Sequence, residues 1–178
     1  MVRNMSINIH SIQKNEYPLL EDFLYNAIFL PPGTQPPPRE IIFNPDVFIY
    51  IDGFGDKPGD CGVVAKQDGK IIAAAWTRII PAYGHIDDYT PELAISVLSE
   101  YRGQGIGTML MTRLFEMLRE RGYKQTSLAV QQKNAAVRFY KRLGYKVIRK
   151  NDEEFIMVKR LDVSLRPWRI EDAGGHSG

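Results

Sequence analysis

The spacing of hydrophobic residues changes several times along the chain, and each change marks an expected element. Partial alternation over 6–12 predicts a short strand, and near-helical spacing over 15–30 predicts an amphipathic helix. Residues 30–39 hold five prolines, so an extended loop is expected there, either a rigid surface connection or a flap over substrate. Segment 40–50 fits a helix or an extended chain, and Asn44-Pro45 favours a break inside it.

The pattern is more regular in the rest of the chain. Two apolar runs around Asp68-Gly69 predict a hairpin. The period becomes helical over 104–121, where Gly122 is placed to end a helix. The remaining segments are shorter, and the pattern assigns strands to 92–98, 126–131, 145–149 and 154–160 and a helix to 134–143.

This order of elements predicts an α/β (α+β) protein with a mixed central β-sheet of about six to seven strands and helices on both faces. We expect one domain over 1–161 and a C-terminal tail over 162–178 that is partly disordered. The longest apolar run is too short to cross a bilayer, and the N-terminus has no apolar signal-peptide core. The lone Cys61 excludes a disulfide framework, so the cytoplasm is the expected compartment.

The net charge of +2 conceals two oppositely charged parts. Residues 100–150 hold 12 Lys/Arg and 3 Asp/Glu, so this segment is basic. The rest of the chain holds 11 Lys/Arg and 18 Asp/Glu, so it is acidic. A basic segment can meet nucleic acid, a membrane surface or a phosphorylated small molecule. Charge by itself does not indicate which of these partners binds, so the motifs within the basic segment must distinguish them.

The stretch YRGQGIGT, residues 101–108, connects an expected strand to the long helix. Its alternating glycines let the backbone approach a ligand, and successive N–H groups at a helix N-terminus attract anions. We therefore expect a bound phosphate or pyrophosphate, with a packing loop as the alternative. A P-loop would need a lysine before Thr108, and a dinucleotide fingerprint would need glycine at that position.

Arg102-x-x-Gly105-x-Gly107 resembles the Arg/Gln-x-x-Gly-x-Gly/Ala signature of the GNAT superfamily of N-acetyltransferases. Residues 131–148, QQKNAAVRFYKRLGYKVI, resemble the second hallmark of that family, N-x-x-A/V-x-x-F/L-Y-x-x-x-G-F/Y. The two motifs have the family's usual separation, and the resemblance covers 70–159. It implies a GNAT-like fold in which two parallel strands, 92–98 and 126–131, splay apart. It also implies acetyl-CoA as the cosubstrate and no metal.

The resemblance further implies roles for residues in the donor-site half, about 92–150. The glycine-rich turn would hold the CoA pyrophosphate, and the end of the central strand would pair with the pantetheine arm. The backbone N–H near Ser96 would stabilise the developing oxyanion. The residues expected to bind the cofactor are Ser96, Val97, Leu98, Arg102, Gly103, Gln104, Gly105, Ile106, Gly107, Thr108, Asn134 and Tyr140.

Acetyl transfer to an amine needs a base for the ammonium proton and an acid for the leaving thiolate. By resemblance, Tyr140 would be the acid, with a core aromatic as the alternative. Glu92 would be the base, often through water, with a solvated strand-end carboxylate as the alternative. His85 has a suitable intrinsic pKa, but a surface histidine suits its loop position better.

Other reactive residues have simpler explanations. Cys61 opens an expected strand and fits a small buried hydrophobe better than a nucleophile. The resemblance likewise implies direct attack in a ternary complex. Tyr83 and Tyr89 would line the acceptor cleft or be exposed loop aromatics.

An acetyl-CoA-dependent N-acetyltransferase is therefore the leading functional hypothesis. A non-catalytic acyl-CoA-binding or sensing module is the alternative on the same fold, and a nucleic-acid-binding protein rests only on the basic segment. Residues 40–92 hold nine Asp/Glu and four Lys/Arg, which favours a cationic acceptor such as a polyamine, an amino sugar or a peptide amine. We expect no nucleic-acid or membrane partner, and a homodimer only by family analogy.

Overall fold

The computed structural model describes residues 6–162, and the tail expected to be disordered lies outside these residues from position 163 onward. Within the described part, seven strands form one sheet in the order β1-β2-β3-β4-β5-β7-β6. Their bounds are β1 Asn8–Ser11, β2 Cys61–Gln67, β3 Lys70–Arg78, β4 Glu92–Val97, β5 Gln125–Gln131, β6 Lys146–Lys150 and β7 Glu154–Arg160. Strands β4 and β5 run parallel, and the other neighbours run antiparallel, so the predicted mixed sheet is confirmed.

Four α-helices accompany the sheet in the described residues: α1 Leu20–Ala27, α2 Pro45–Phe48, α3 Ile106–Glu120 and α4 Ala136–Arg142. The helix expected over 15–30 is shorter than predicted, because a 3₁₀ helix at Lys14–Leu19 precedes α1. Pro18 lies inside that 3₁₀ helix and offers no N–H for regular α-helical bonding. The ambiguous segment 40–50 also divides, since a 3₁₀ helix at Arg39–Phe43 ends just before α2.

The two faces of the sheet are covered by different helices, as the alternation of side chains along a strand requires. On one face, Val63 and Ala75 belong to the apolar cluster that includes Leu114 of α3. On the other face, Val64 and Trp76 belong to the cluster formed around α1. The predicted arrangement with helices on both faces is confirmed.

The predicted hairpin turn forms between β2 and β3. Asp68 and Gly69 both have positive φ values, of 50° and 81°. A two-residue hairpin with positive φ at both positions has the twist that antiparallel strands need, and this explains the Asp-Gly sequence.

The strands β4 and β5 are joined over a very short length. Their ladder consists of one pair, Glu92 beside Ser127. In contrast, β4 pairs with β3 from Glu92 to Val97. Beyond Glu92, the edge of β4 that faces β5 is therefore open, and the two parallel strands form a V with Glu92 at its vertex. The predicted splay of these strands is present.

Candidate active site

A cleft of about 910 Å³ opens along the free edge of β4. Its walls are the end of β4, the glycine-rich turn, the first part of α4, and residues 25–30 with Pro36 and Pro37. Ten of the twelve residues expected to bind the cofactor line it: Ser96, Val97, Arg102, Gly103, Gly105, Ile106, Gly107, Thr108, Asn134 and Tyr140. The proline-rich segment is thus part of the cleft wall, where the Tyr25 hydroxyl donates to the Pro37 carbonyl at 2.7 Å.

The glycine-rich turn places backbone amide donors at one end of the cleft. Gly103 and Gly105 have φ values of 75° and 80°, and a Cβ at either position would meet nothing within 4 Å. The left-handed conformation, and not lack of space, therefore requires glycine at both positions. Gly105 is the N-cap of α3 and supplies no side-chain cap, so the first N–H groups of α3 remain available to an anion.

The direction of the β4 backbone follows from two hydrogen bonds. The Ser127 amide donates to the Pro91 carbonyl, and the Leu98 amide donates to the Ile72 carbonyl, both at 3.0 Å. Alternate residues of a strand direct their N–H groups to opposite neighbours. The amides of Ser96 and Leu98 consequently face β3, while those of Ile95 and Val97 face the open edge.

Of the three strand residues expected to pair with the pantetheine arm, Ser96, Val97 and Leu98, only Val97 directs its amide to the open edge. The Val97 carbonyl, on the same edge, accepts a hydrogen bond from Arg102 Nε at 3.0 Å. Leu98 and Gln104 are absent from the cleft lining. Leu98 packs against the cluster around α1, and Gln104 Nε2 lies 3.4 Å from the Glu100 carbonyl.

The side chains of Ser96 and Asn134 contribute polar groups to the cleft. Ser96 is 5% exposed, and its Oγ has no hydrogen-bond partner among residues 6–162. Asn134 Oδ1 accepts the Ala136 amide at 2.9 Å at the start of α4. Its oxygen is therefore engaged, and its NH₂ group is the part that could donate to a ligand.

Tyr140 is both a packed aromatic and a cleft residue. Its ring lies 5.5 Å from that of Phe139 and 5.8 Å from that of Tyr145, measured between centroids. Burial raises the pKa of Tyr140 to about 12, so its hydroxyl is protonated at neutral pH and can serve as a donor.

Glu92 is enclosed at the vertex of the V and is 2% exposed, so it is not a solvated strand-end carboxylate. Its Oε1 accepts hydrogen bonds from the Tyr50 hydroxyl and from the Gly84 amide, the latter at 2.9 Å. Its Oε2 is buried without a partner among the described residues. Burial raises the pKa of Glu92 to about 7, and the two hydrogen bonds to Oε1 oppose that rise.

Sequence reasoning missed Tyr50, which lies 42 positions before Glu92. Its backbone is held by the sheet, since Trp76 Nε1 donates to the Tyr50 carbonyl at 2.9 Å. Arg78, which is opposite Glu92 in register, donates to the neighbouring Ile49 carbonyl at 3.0 Å. The sequence held one local signal of this arrangement, which is the positively charged Arg78 at the end of the largely apolar segment 71–78.

Three other candidates from the sequence, His85, Tyr89 and Cys61, lie outside this arrangement, whereas Tyr83 lies at its margin beside Gly84. His85 Nε2 is 3.9 Å from Asp88 Oδ1 in a loop pair of a half-buried histidine and an exposed carboxylate. Tyr89 is 82% exposed and lines a separate cleft, whereas Tyr83 is 50% exposed. Cys61 is buried, and burial raises the pKa of its thiol, which disfavours the thiolate that a nucleophile requires.

The class of the protein is defined by a seven-stranded mixed sheet in which β4 and β5 separate beside the glycine-rich start of α3. The chain matches the acetyltransferase (GNAT) family over residues 22–145, and it belongs to that family. Among solved structures, the PaiA N-acetyltransferase of Thermoplasma acidophilum in complex with coenzyme A has a similar fold. Its TM-score is 0.66 at 19% identity, with 88% of this chain and 99% of that chain covered.

Two curated relatives are more similar in sequence. Rat N-acetylaspartate synthetase is 34% identical over 111 residues, which cover 61% of this chain and 36% of the relative. N-alpha-acetyltransferase 30 of Schizosaccharomyces pombe is 38% identical over 52 residues, which cover 29% of this chain and 35% of the relative. The chain thus spans about a third of the length of the curated relatives it matches. Over residues 6–162, no helix is both long and apolar enough to span a bilayer.

Proposed function

We propose that this protein transfers an acetyl group from acetyl-CoA to a primary amine by direct attack in a ternary complex. The observation that carries the proposal is the cleft along the open edge of β4. Amides that attract anions lie at one end of this cleft. The enclosed carboxyl of Glu92 lies beyond its other end, at the vertex between β4 and β5. Membership of the GNAT family and the coenzyme A complex of the PaiA enzyme support this choice of donor.

The residues of the cleft fit the parts of the donor. The uncapped amides at the start of α3 suit its pyrophosphate, and Arg102 and Arg142 add positive charge to the same cleft. The free amides of Ile95 and Val97 suit the pantetheine arm or the thioester oxygen, which gains negative charge during attack. The Ser96 hydroxyl, which has no partner among residues 6–162, and the Asn134 NH₂ group are further donors along this route.

The reaction balances with two protein groups. The amine nitrogen forms a bond to the thioester carbon, and the bond from that carbon to sulfur breaks. Glu92 takes the proton lost by nitrogen, through water, and Tyr140 gives its hydroxyl proton to the departing thiolate. Their pKa values of about 7 and about 12 suit these roles at neutral pH, because the base is partly ionised and the acid is fully protonated.

Negative charge near the vertex favours a cationic acceptor. Glu154 of β7 is close enough to raise the pKa values of Glu92 and Tyr83, and Asp46 also raises that of Tyr83. These carboxylates would attract a second positive charge on the acceptor. The names of the curated relatives suggest other acceptor amines, the amino group of aspartate and the α-amine of a protein N-terminus, and these belong in the same test.

The test is release of free CoA thiol, with the product mass confirmed, across a panel of amines. The panel contains polyamines, amino sugars, peptides with a free N-terminus or lysine, and aspartate. We expect the highest kcat/KM with a cationic amine. A strong preference for aspartate would contradict the acceptor proposal. Tight coenzyme A binding without turnover of any amine would contradict catalysis and favour a sensing module.

A further inference from the structure

The two oxygens of the Glu92 carboxyl have different surroundings. Two donors, the Tyr50 hydroxyl and the Gly84 amide, converge on Oε1, while Oε2 has no partner among residues 6–162. An ionised carboxylate accepts hydrogen bonds only, and two donors on one oxygen stabilise the charged form in a buried place. The free oxygen is then the one with capacity to take a proton.

Gly84 is held tightly in this arrangement. Its carbonyl accepts the Ser127 hydroxyl at 2.7 Å, and a Cβ on Gly84 would lie 2.7 Å from Glu92 Oε1. Gly84 does not have a positive φ, so its backbone conformation does not demand glycine. The close approach of the Glu92 carboxyl is what requires glycine at this position. The amide that faces Glu92 is thus fixed by the same residue, Ser127, that closes the V between β4 and β5.

Tyr50 is held equally firmly, although it comes from the segment after α2. Trp76 Nε1 binds its carbonyl, and Arg78 binds the carbonyl of Ile49. Both donors belong to β3, the strand that pairs with β4 along its length. The sheet therefore supports both partners of the Tyr50–Glu92 hydrogen bond.

We propose that Tyr50 is a positioning residue for acetyl transfer, whose hydroxyl engages one oxygen of Glu92 and keeps this enclosed carboxyl ionisable at the vertex of the V. The proposal rests on the role of Glu92 as base in the proposed function. It assigns to Tyr50 no contact with the amine or with acetyl-CoA. Its effect reaches the reaction through the charge state and orientation of Glu92.

The direction of the expected effect follows from the groups around Glu92. Those that act on its charge are Tyr50, the Gly84 amide and Glu154 of β7, and Arg78 is its backbone partner on β3. Arg78 is already engaged with Asp60, and Glu154 raises the pKa of Glu92. Tyr50 and Gly84 lower that pKa, so removal of the Tyr50 hydroxyl must move it upward.

The test is the variant Tyr50→Phe, which keeps the ring and removes the hydroxyl. Carbon-13 NMR follows the carboxyl titration of Glu92, and Glu92→Gln assigns the signal. We expect an upward shift of about one pH unit, because a hydrogen bond to a charged group contributes roughly 1.5 kcal/mol. The rate at pH 7 should then fall about five-fold and recover by pH 9, since the ionised fraction recovers. A structural defect would instead lower the rate at every pH.

Tyr123→Phe is the matched control, because it removes a hydroxyl bonded to the Pro58 carbonyl, remote from Glu92. It should leave the titration and the rate unchanged. If Tyr50→Phe does not fold, Trp76→Phe loosens the Tyr50 backbone and should shift the titration in the same direction. An unmoved Glu92 titration in the folded variant overturns the proposal. Absence of turnover by the unmodified protein would instead contradict the proposed function, since the NMR titration needs no acceptor.

Discussion

Arg78 and Asp60 form a two-point ion pair in the protein interior, with Nε to Oδ1 at 2.8 Å and Nη2 to Oδ2 at 3.0 Å. Both side chains are almost completely buried. Asp60 also accepts the Gly55 amide at 2.8 Å, while Arg78 donates to backbone carbonyls of residues 49–53. The pair therefore fixes the segment that carries Tyr50 to the end of β3.

Breaking this pair should destabilise the protein strongly. Asp60→Asn leaves the Arg78 charge buried without a counter-ion, and such a loss typically costs about 3–5 kcal/mol. Urea unfolding measures the change. Asp162→Asn is the control, because Arg160 and Asp162 form a similar two-point pair at the surface. It should cost less than about 1 kcal/mol. Equal losses in the two variants would contradict the role of burial.

The glycine-rich turn can be tested by adding a single methyl group. Gly105→Ala forces an L-residue into the left-handed region, which costs roughly 1–2 kcal/mol, and it disturbs the amides that would receive the pyrophosphate. We expect KM for acetyl-CoA to rise about ten-fold. Gly69→Ala imposes the same backbone strain, with φ of 81° and open space around the Cβ, in the β2–β3 turn. It should lower stability similarly and leave KM unchanged.

The proposed acid role of Tyr140 predicts a loss of rate without a loss of donor binding. Tyr140→Phe should lower kcat by about 100-fold, at the lower end of the range for general acid catalysis. Tyr145→Phe is the matched control, because the Tyr145 ring packs beside Tyr140 and its buried hydroxyl has no hydrogen-bond partner among residues 6–162. That variant should keep kcat and be at least as stable. Similar kcat values for Tyr140→Phe and the unmodified protein would remove Tyr140 from the mechanism.

Burial of Glu92 also predicts how stability depends on pH. Its pKa is about 7 in the folded protein and about 4.5 ordinarily, so the folded state holds the proton more tightly. The contribution of Glu92 is full below pH 4.5 and is lost as pH rises through 7. The free energy of unfolding should therefore fall, relative to Glu92→Gln, by on the order of 3 kcal/mol across this interval. A constant difference between the two proteins would contradict the raised pKa.

The features that could be predicted from the sequence depend on local backbone and periodicity. The Asp68-Gly69 hairpin, the helix ending before Gly122 and the glycine-rich turn at its start are all specified within a few neighbouring residues. The helix expected over 15–30 was shorter than predicted, because apolar spacing does not reveal where a 3₁₀ turn around Pro18 replaces α-helical bonding.

The sequence by itself determined the fold class, the two parallel strands that separate, and ten residues that line the cleft beside β4, because motifs and periodicity are read from consecutive residues. Only the tertiary structure decided that the amides of Ile95 and Val97, and not those of Ser96 and Leu98, face the open edge. Their direction depends on which side of β4 is paired with β3. The tertiary structure also brought Tyr50 to Glu92 and Asp60 to Arg78. These contacts join residues far apart in the chain, and burial then gives Glu92 a pKa that no local pattern encodes.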